Sequence, residues 1–115
     1  MAEFEQLQQR LRQFAQARDW QQFHSPKNLA MALSGEVGEL LEHFQWLTEA
    51  QSADLPPEVL EQVADEMADV QLYLILLADK LKVDLPATAF NKITKNAAKY
   101  PVDKAKGKSA KYTDL

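Results

Sequence analysis

The chain contains no cysteine, so disulfide scaffolds, thiolate metal sites and cysteine nucleophiles are excluded. It has three glycines in 115 residues. A β-sandwich or barrel of that length needs many tight turns, and tight turns need glycine. No apolar run approaches the roughly 18 residues that a membrane span requires. The opening MAEFEQLQQRLRQ is polar and lacks the apolar centre of a signal peptide. These absences point to a cytoplasmic, all-helical protein with no membrane partner. What is present is an ordinary globular mixture, 46% apolar and 26% charged, with room for one domain.

Charge is unevenly spread. Residues 1–91 carry 6 basic against 15 acidic side chains, whereas residues 92–115 carry 7 lysines against 2 aspartates. Duplex DNA binders are usually basic overall, so an acidic body argues against a nucleic-acid partner. Acidic groups can hold metal cations and lysines can meet phosphates. Lys104, Lys106 and Lys108 read equally well as a solvated tail.

Four segments carry helical punctuation. The first runs from about Phe4 to Arg18, with Phe4, Leu7, Leu11, Phe14 and Ala15 on one stripe. The second opens at Ser25-Pro26, with Ser as N-cap and Pro in the first turn. It is expected to reach Leu47, with Leu29, Leu33, Val37, Leu40, Phe44 and Leu47 as its stripe. A polar loop, Thr48 to Leu55, follows. The third segment runs from Pro56-Pro57 to about Leu81, with apolar residues on most sides. Such a helix is central or lies at a subunit interface. The fourth opens after Asp84 and runs to about Lys99, where Pro101 stops it. The rest is polar and reads as extended. The expected organisation is a domain over residues 1–101 and a basic tail over 102–115.

Two acidic pairs stand out: Glu36 with Glu39 on the second helix, and Glu66 with Asp69 on the third. Positions i and i+3 differ by roughly 60° around a helix, so each pair can address one point. Glu36 and Glu66 border the apolar stripes of their helices at matching positions. Glu39 and Asp69 fall to the same side of them. Burying unpaired carboxylates is costly, and hard divalent cations remove that cost. Mg²⁺ prefers oxygen ligands and retains waters for a phosphate substrate. The expected site is therefore Mg²⁺ held by Glu36, Glu39, Glu66 and Asp69; the alternative is four surface acids. Di-iron bundles use Glu-x-x-His pairs, and this sequence has none. Gly35 and Gly38 flank Glu36 and mark either a close approach by a helix or ligand, or tolerated helix glycines.

Trp20, His24 and Trp46 lie near the ends of the second helix and offer stacking surfaces for a flat ring, or ordinary capping of the core. His24 taken alone reads as a structural hydrogen-bonding residue. Lys27 and Asn28 occupy the first turn of that helix, where N–H groups favour anions. Lys92, Lys95, Asn96 and Lys99 mark one face of the fourth helix and suit a triphosphate.

The stretches RDWQQFHSPKNLAMALSGEVGELLEHFQW, EMADVQLYLILLADKLKVDL, KITKNAAKYP and KYTDL resemble the MazG-type all-α nucleoside triphosphate pyrophosphohydrolases, most closely the small dCTP pyrophosphatase branch. The resemblance rests on E-x-x-E and E-x-x-D with 26 residues between Glu39 and Glu66, together with FQW and KYP. It implies a four-helix bundle that assembles as a homo-oligomer, dimer or tetramer, with sites built partly from neighbouring chains. It also implies Mg²⁺-dependent cleavage between the α and β phosphates of a nucleoside triphosphate, dCTP or a modified pyrimidine deoxynucleotide. By the same resemblance, Glu36, Glu39, Glu66 and Asp69 hold metal, and Trp20 and Trp46 hold the base. Lys92, Lys95, Asn96, Lys99 and Tyr100 match the region that meets phosphate and sugar. Where vertebrate members place a nucleotide-contacting histidine, this chain has Leu11. Glu36 or Glu39 is the expected acceptor of the attacking water's proton. The competing expectations are a non-catalytic helical interaction module, and the same hydrolase acting on another nucleotide.

Overall fold

The computed structural model describes residues 2–115, and among them there is no strand. The chain divides after Lys82 into two compact units. The first holds helix α1 (Ala2–Ala17), a 3-10 turn (Gln21–Phe23), α2 (Pro26–Glu42), α3 (Glu49–Ser52) and α4 (Pro57–Lys80). The second holds α5 (Leu85–Lys99), α6 (Val102–Ala105) and a 3-10 turn (Tyr112–Asp114). Residue 101, the boundary expected from composition, falls inside the second unit.

In the first unit α4 is central. It packs along α2 over much of its length and against α1 over a shorter stretch. Leu29 of α2 and Ile75 of α4 are the most deeply buried side chains, with Ala15, Val63 and Ala78 around them. Each large aliphatic so buried contributes about 1.5–3 kcal/mol. The long apolar stripe of α4 divides in two. Val63 is buried and Val70 and Leu77 are half-buried, whereas Leu60, Met67, Leu74 and Leu81 are exposed.

The caps follow the sequence closely. Ser25 Oγ accepts from the Asn28 N–H at 3.1 Å, with Pro26 in the first turn. Asp84 likewise caps α5 by accepting from the Ala87 N–H at 3.1 Å. Two expectations are corrected. Helix α2 ends at Glu42, not near Leu47, because the chain tightens into i→i−3 turns, with Phe44 N–H donating to Leu41 O and Leu47 N–H to Phe44 O. The loop after it contains α3, fixed by a capping box in which Gln51 N–H donates to Thr48 Oγ1 and Thr48 N–H donates to Gln51 Oε1.

In the second unit, the segment after Pro101, expected to be extended, carries α6 and the terminal 3-10 turn. That turn is held by aromatic contacts: the Tyr112 ring meets Tyr100 edge-on at 6.1 Å, and Lys99 Nζ lies 4.8 Å from the Tyr112 centroid. No helix among the described residues is long and apolar enough to cross a membrane.

Candidate metal centre and adjoining cavity

Helices α2 and α4 bring Glu36, Glu39 and Glu66 together. One carboxylate oxygen from each lies within 4.8 Å of the others. Glu36 and Glu66 are half-buried and Glu39 is exposed. Glu36 Oε2 and Glu66 Oε2 are buried with no hydrogen-bond partner. Buried carboxylate oxygens are normally satisfied, so these two mark a place that suits a hard cation.

The electrostatics agree with that reading. Glu36 is pushed up to about 7, first by loss of solvent around its buried oxygen, then by hydrogen bonding and repulsion from Glu39, then by the charges of Asp69 and Glu66. Glu66 is also raised, chiefly by desolvation and then by Glu39 and Asp69; His43 partly offsets this. Asp69, the fourth expected ligand, stands outside the tight trio. It is near enough for its charge to act on both Glu36 and Glu66.

His43 is a member of the site that the sequence reading did not single out. Its Nε2 lies 4.0 Å from Glu66 Oε1. His43 is the C-cap of α2, four residues beyond Glu39 and seven beyond Glu36. Its partner, however, sits on another helix.

Beside this cluster is an apolar cavity of about 180 Å³. Leu11, Phe14 and Ala15 of α1 form one wall; Leu72, Tyr73 and Leu76 of α4 form another; Trp20, His24 and Asp69 complete it. An apolar cavity of about 150 Å³ takes a benzene ring, so one flat ring fits. The placement of Trp20 comes from the way α1 ends. Asp19 adopts φ 52, Asp19 N–H donates to Gln16 O, and Trp20 N–H reaches back to Ala15 O at 2.9 Å. This is a Schellman turn, whose usual accompaniment is an apolar contact back onto the last helical turn. Here the contact is Trp20 edge-on to Phe14 at 5.6 Å, with the Arg18 guanidinium 3.7 Å from the Phe14 centroid.

A model of the MazG-like family matches residues 31–115. The chain belongs to the MazG-like family. Among its relatives, dCTP pyrophosphatase 1 of Mus musculus and that of Homo sapiens are each 45% identical over 105 residues, or 90% of this chain. The chain spans 62% of the length of these relatives. A solved pyrophosphatase from Archaeoglobus fulgidus DSM 4304 is 42% identical, with a TM-score of 0.75 over 84% of this chain and 91% of its own.

Trp46 is 86% exposed and does not line the cavity with Trp20. Asn28 Nδ2 donates to Phe23 O at 3.0 Å, so its side chain secures the preceding turn; Lys27 is exposed. Lys92, Lys95, Asn96 and Lys99 are exposed residues of α5 in the second unit, and Tyr100 is its C-cap. Gly35 and Gly38 have no neighbour within 4 Å of an added Cβ, so no close approach within this chain requires them.

Proposed function

We propose that this chain is a Mg²⁺-dependent nucleoside triphosphate pyrophosphohydrolase that converts dCTP, or a modified pyrimidine deoxynucleotide, to the monophosphate and pyrophosphate in the cytoplasmic nucleotide pool. The observation that carries the reading is the convergence of Glu36, Glu39 and Glu66, two of them with orphaned buried oxygens, beside an apolar cavity. The naming of two relatives as dCTP pyrophosphatases supports the choice of nucleotide.

In this reading Glu36, Glu39, Glu66 and Asp69 hold Mg²⁺. When bound, the ion neutralises phosphate oxygens and acidifies water. The chain's own groups do the rest. Trp20 and Phe14 present ring faces and edges to the base. Leu11, Leu72 and Leu76 exclude water from around it. Glu39, the exposed member of the trio, is open to solvent and suited to take a proton from attacking water; Glu36 is the other candidate. Lys27 and the first turn of α2 that Asn28 belongs to suit an anion; Lys92, Lys95, Asn96, Lys99 and Tyr100 are assigned to phosphate and sugar by the family resemblance alone. Residues 1–101 act as the hydrolase domain and 102–115 as its basic tail.

We further propose a homo-oligomer, dimer or tetramer. Its support is the exposed stripe Leu60, Met67, Leu74 and Leu81, which recurs every seven residues along α4, together with the exposed Trp46. The test of substrate is a panel of all canonical NTPs and dNTPs with Mg²⁺, each product mixture separated. Preferential turnover of dCTP to dCMP and pyrophosphate is expected. Preference for a purine nucleotide would contradict the base assignment, and no turnover of any would leave a non-catalytic module.

A further inference from the structure

The apolar cavity is built across two helices that little else holds together. Its α1 wall is Leu11, Phe14 and Ala15; its α4 wall is Leu72, Tyr73 and Leu76. Of the α1 residues only Ala15 is buried, so apolar packing grips α1 weakly. The firm link is polar. Arg12 Nε donates to Asp79 Oδ2 at 2.7 Å, Arg12 Nη2 donates to Asp79 Oδ1 at 2.5 Å, and Gln8 Nε2 donates to the same Oδ1 at 3.2 Å. Arg12 adjoins Leu11 in sequence, and Asp79 lies one turn beyond Leu76.

A two-pronged guanidinium–carboxylate contact fixes both separation and orientation, which a single ammonium contact does not. Gln8, one turn before Arg12, adds a second anchor on the same face of α1. Rotation of α1 would break all three bonds and swing Phe14 with them. Trp20 rides on Phe14, so the stacking surface would move as well. The Arg12 side chain is half exposed and that of Asp79 largely covered, and a fork of this geometry orients the two helices as well as holding them together.

We propose that the Arg12–Asp79 pair, with Gln8, is a positioning device that sets the width of the base cavity and thereby the preference for a small base. The inference rests on the reading that this cavity receives the base. Arg12 and Asp79 are positioning residues: they act through Leu11, Phe14 and Leu76.

The test uses the full chain with Mg²⁺ and compares dCTP with dATP for the unaltered protein, Asp79→Asn and Arg12→Lys. Arg12→Lys keeps the charge and removes the fork, so it separates geometry from charge. Both variants should raise KM for dCTP by about three- to tenfold while kcat stays within about twofold, the pattern expected when binding geometry and not chemistry is lost. The dCTP-over-dATP ratio of kcat/KM should narrow by about threefold or more. Circular dichroism should show unaltered helicity. Unchanged KM and unchanged base ratio in Arg12→Lys would overturn the positioning role, whatever happened to melting temperature. If the unaltered protein turns over neither nucleotide, the base-cavity reading fails, and the positioning role fails with it.

Discussion

At the scale of the residue, Glu36 has a stability cost that can be measured. Its carboxyl titrates near 7 in the folded chain against 4.5 ordinarily. Between those values the folded state keeps a proton that the unfolded state has released, so stability falls as pH rises through that window. The melting temperature of chelator-treated protein should therefore decline from pH 5 to pH 7.5. Glu36→Gln should flatten the decline, raise the melting temperature at pH 7.5, and abolish the extra stabilisation given by Mg²⁺. A melting temperature that rises with pH, or a variant that still responds to Mg²⁺, would separate Glu36 from the proposed ion. The four acids were legible in the sequence because i,i+3 spacing and stripe position are properties of one helix. His43 was not, because its relation to Glu66 exists only after α2 and α4 pack. The exposure of Trp46 was hidden for a related reason: α2 stops five residues short of Leu47, so the helical projection beyond Glu42 no longer applied.

At the scale of the element, capping residues made the starts of helices legible, whereas the ends depended on backbone conformations that no single residue announces. Ser25 and Asp84 cap α2 and α5, and both were readable from Ser-Pro and Asp-Leu-Pro. Ser25→Ala should lower stability by about 1 kcal/mol, measured by urea unfolding. The ends are different: Asp19 and Lys82 take the left-handed conformation, at φ 52 and 56, where glycine is the usual choice. The left-handed region costs a residue with a Cβ about 1–2 kcal/mol. Glycine removes that cost but adds about 0.5–1 kcal/mol of unfolded-state entropy. Lys82→Gly should therefore stabilise by about 0.5–1 kcal/mol, and a loss of stability in urea would show that Lys82 does more than turn the chain. The four-residue α3 escaped notice because it is too short to display an apolar stripe, although its Thr48-x-x-Gln51 box was in plain view.

At the scale of the whole molecule, 46% of the residues are apolar, yet among the described residues only Ala15, Leu29, Val63, Ile75 and Ala78 are buried apolar side chains. Scarce glycine and helical spacing pointed to an all-helical chain; they did not show that half of the α4 stripe would face outward. The exposed Leu60, Met67, Leu74 and Leu81 are apolar surface of the kind that second subunits cover. Sedimentation should find a dimer or tetramer, and Met67→Glu should shift it toward monomer; a monomeric unaltered protein at micromolar concentration would remove the proposed assembly. In the proposed reaction, carboxylates from two helices, loaded with Mg²⁺, direct cleavage of the α–β phosphoanhydride. Its most direct test is ³¹P NMR of dCTP incubated with the protein, with and without Mg²⁺, beside Glu39→Gln. Resonances of dCMP and pyrophosphate should appear only for the unaltered protein with Mg²⁺. Resonances of dCDP and inorganic phosphate, or equal turnover by Glu39→Gln, would contradict the proposed reaction.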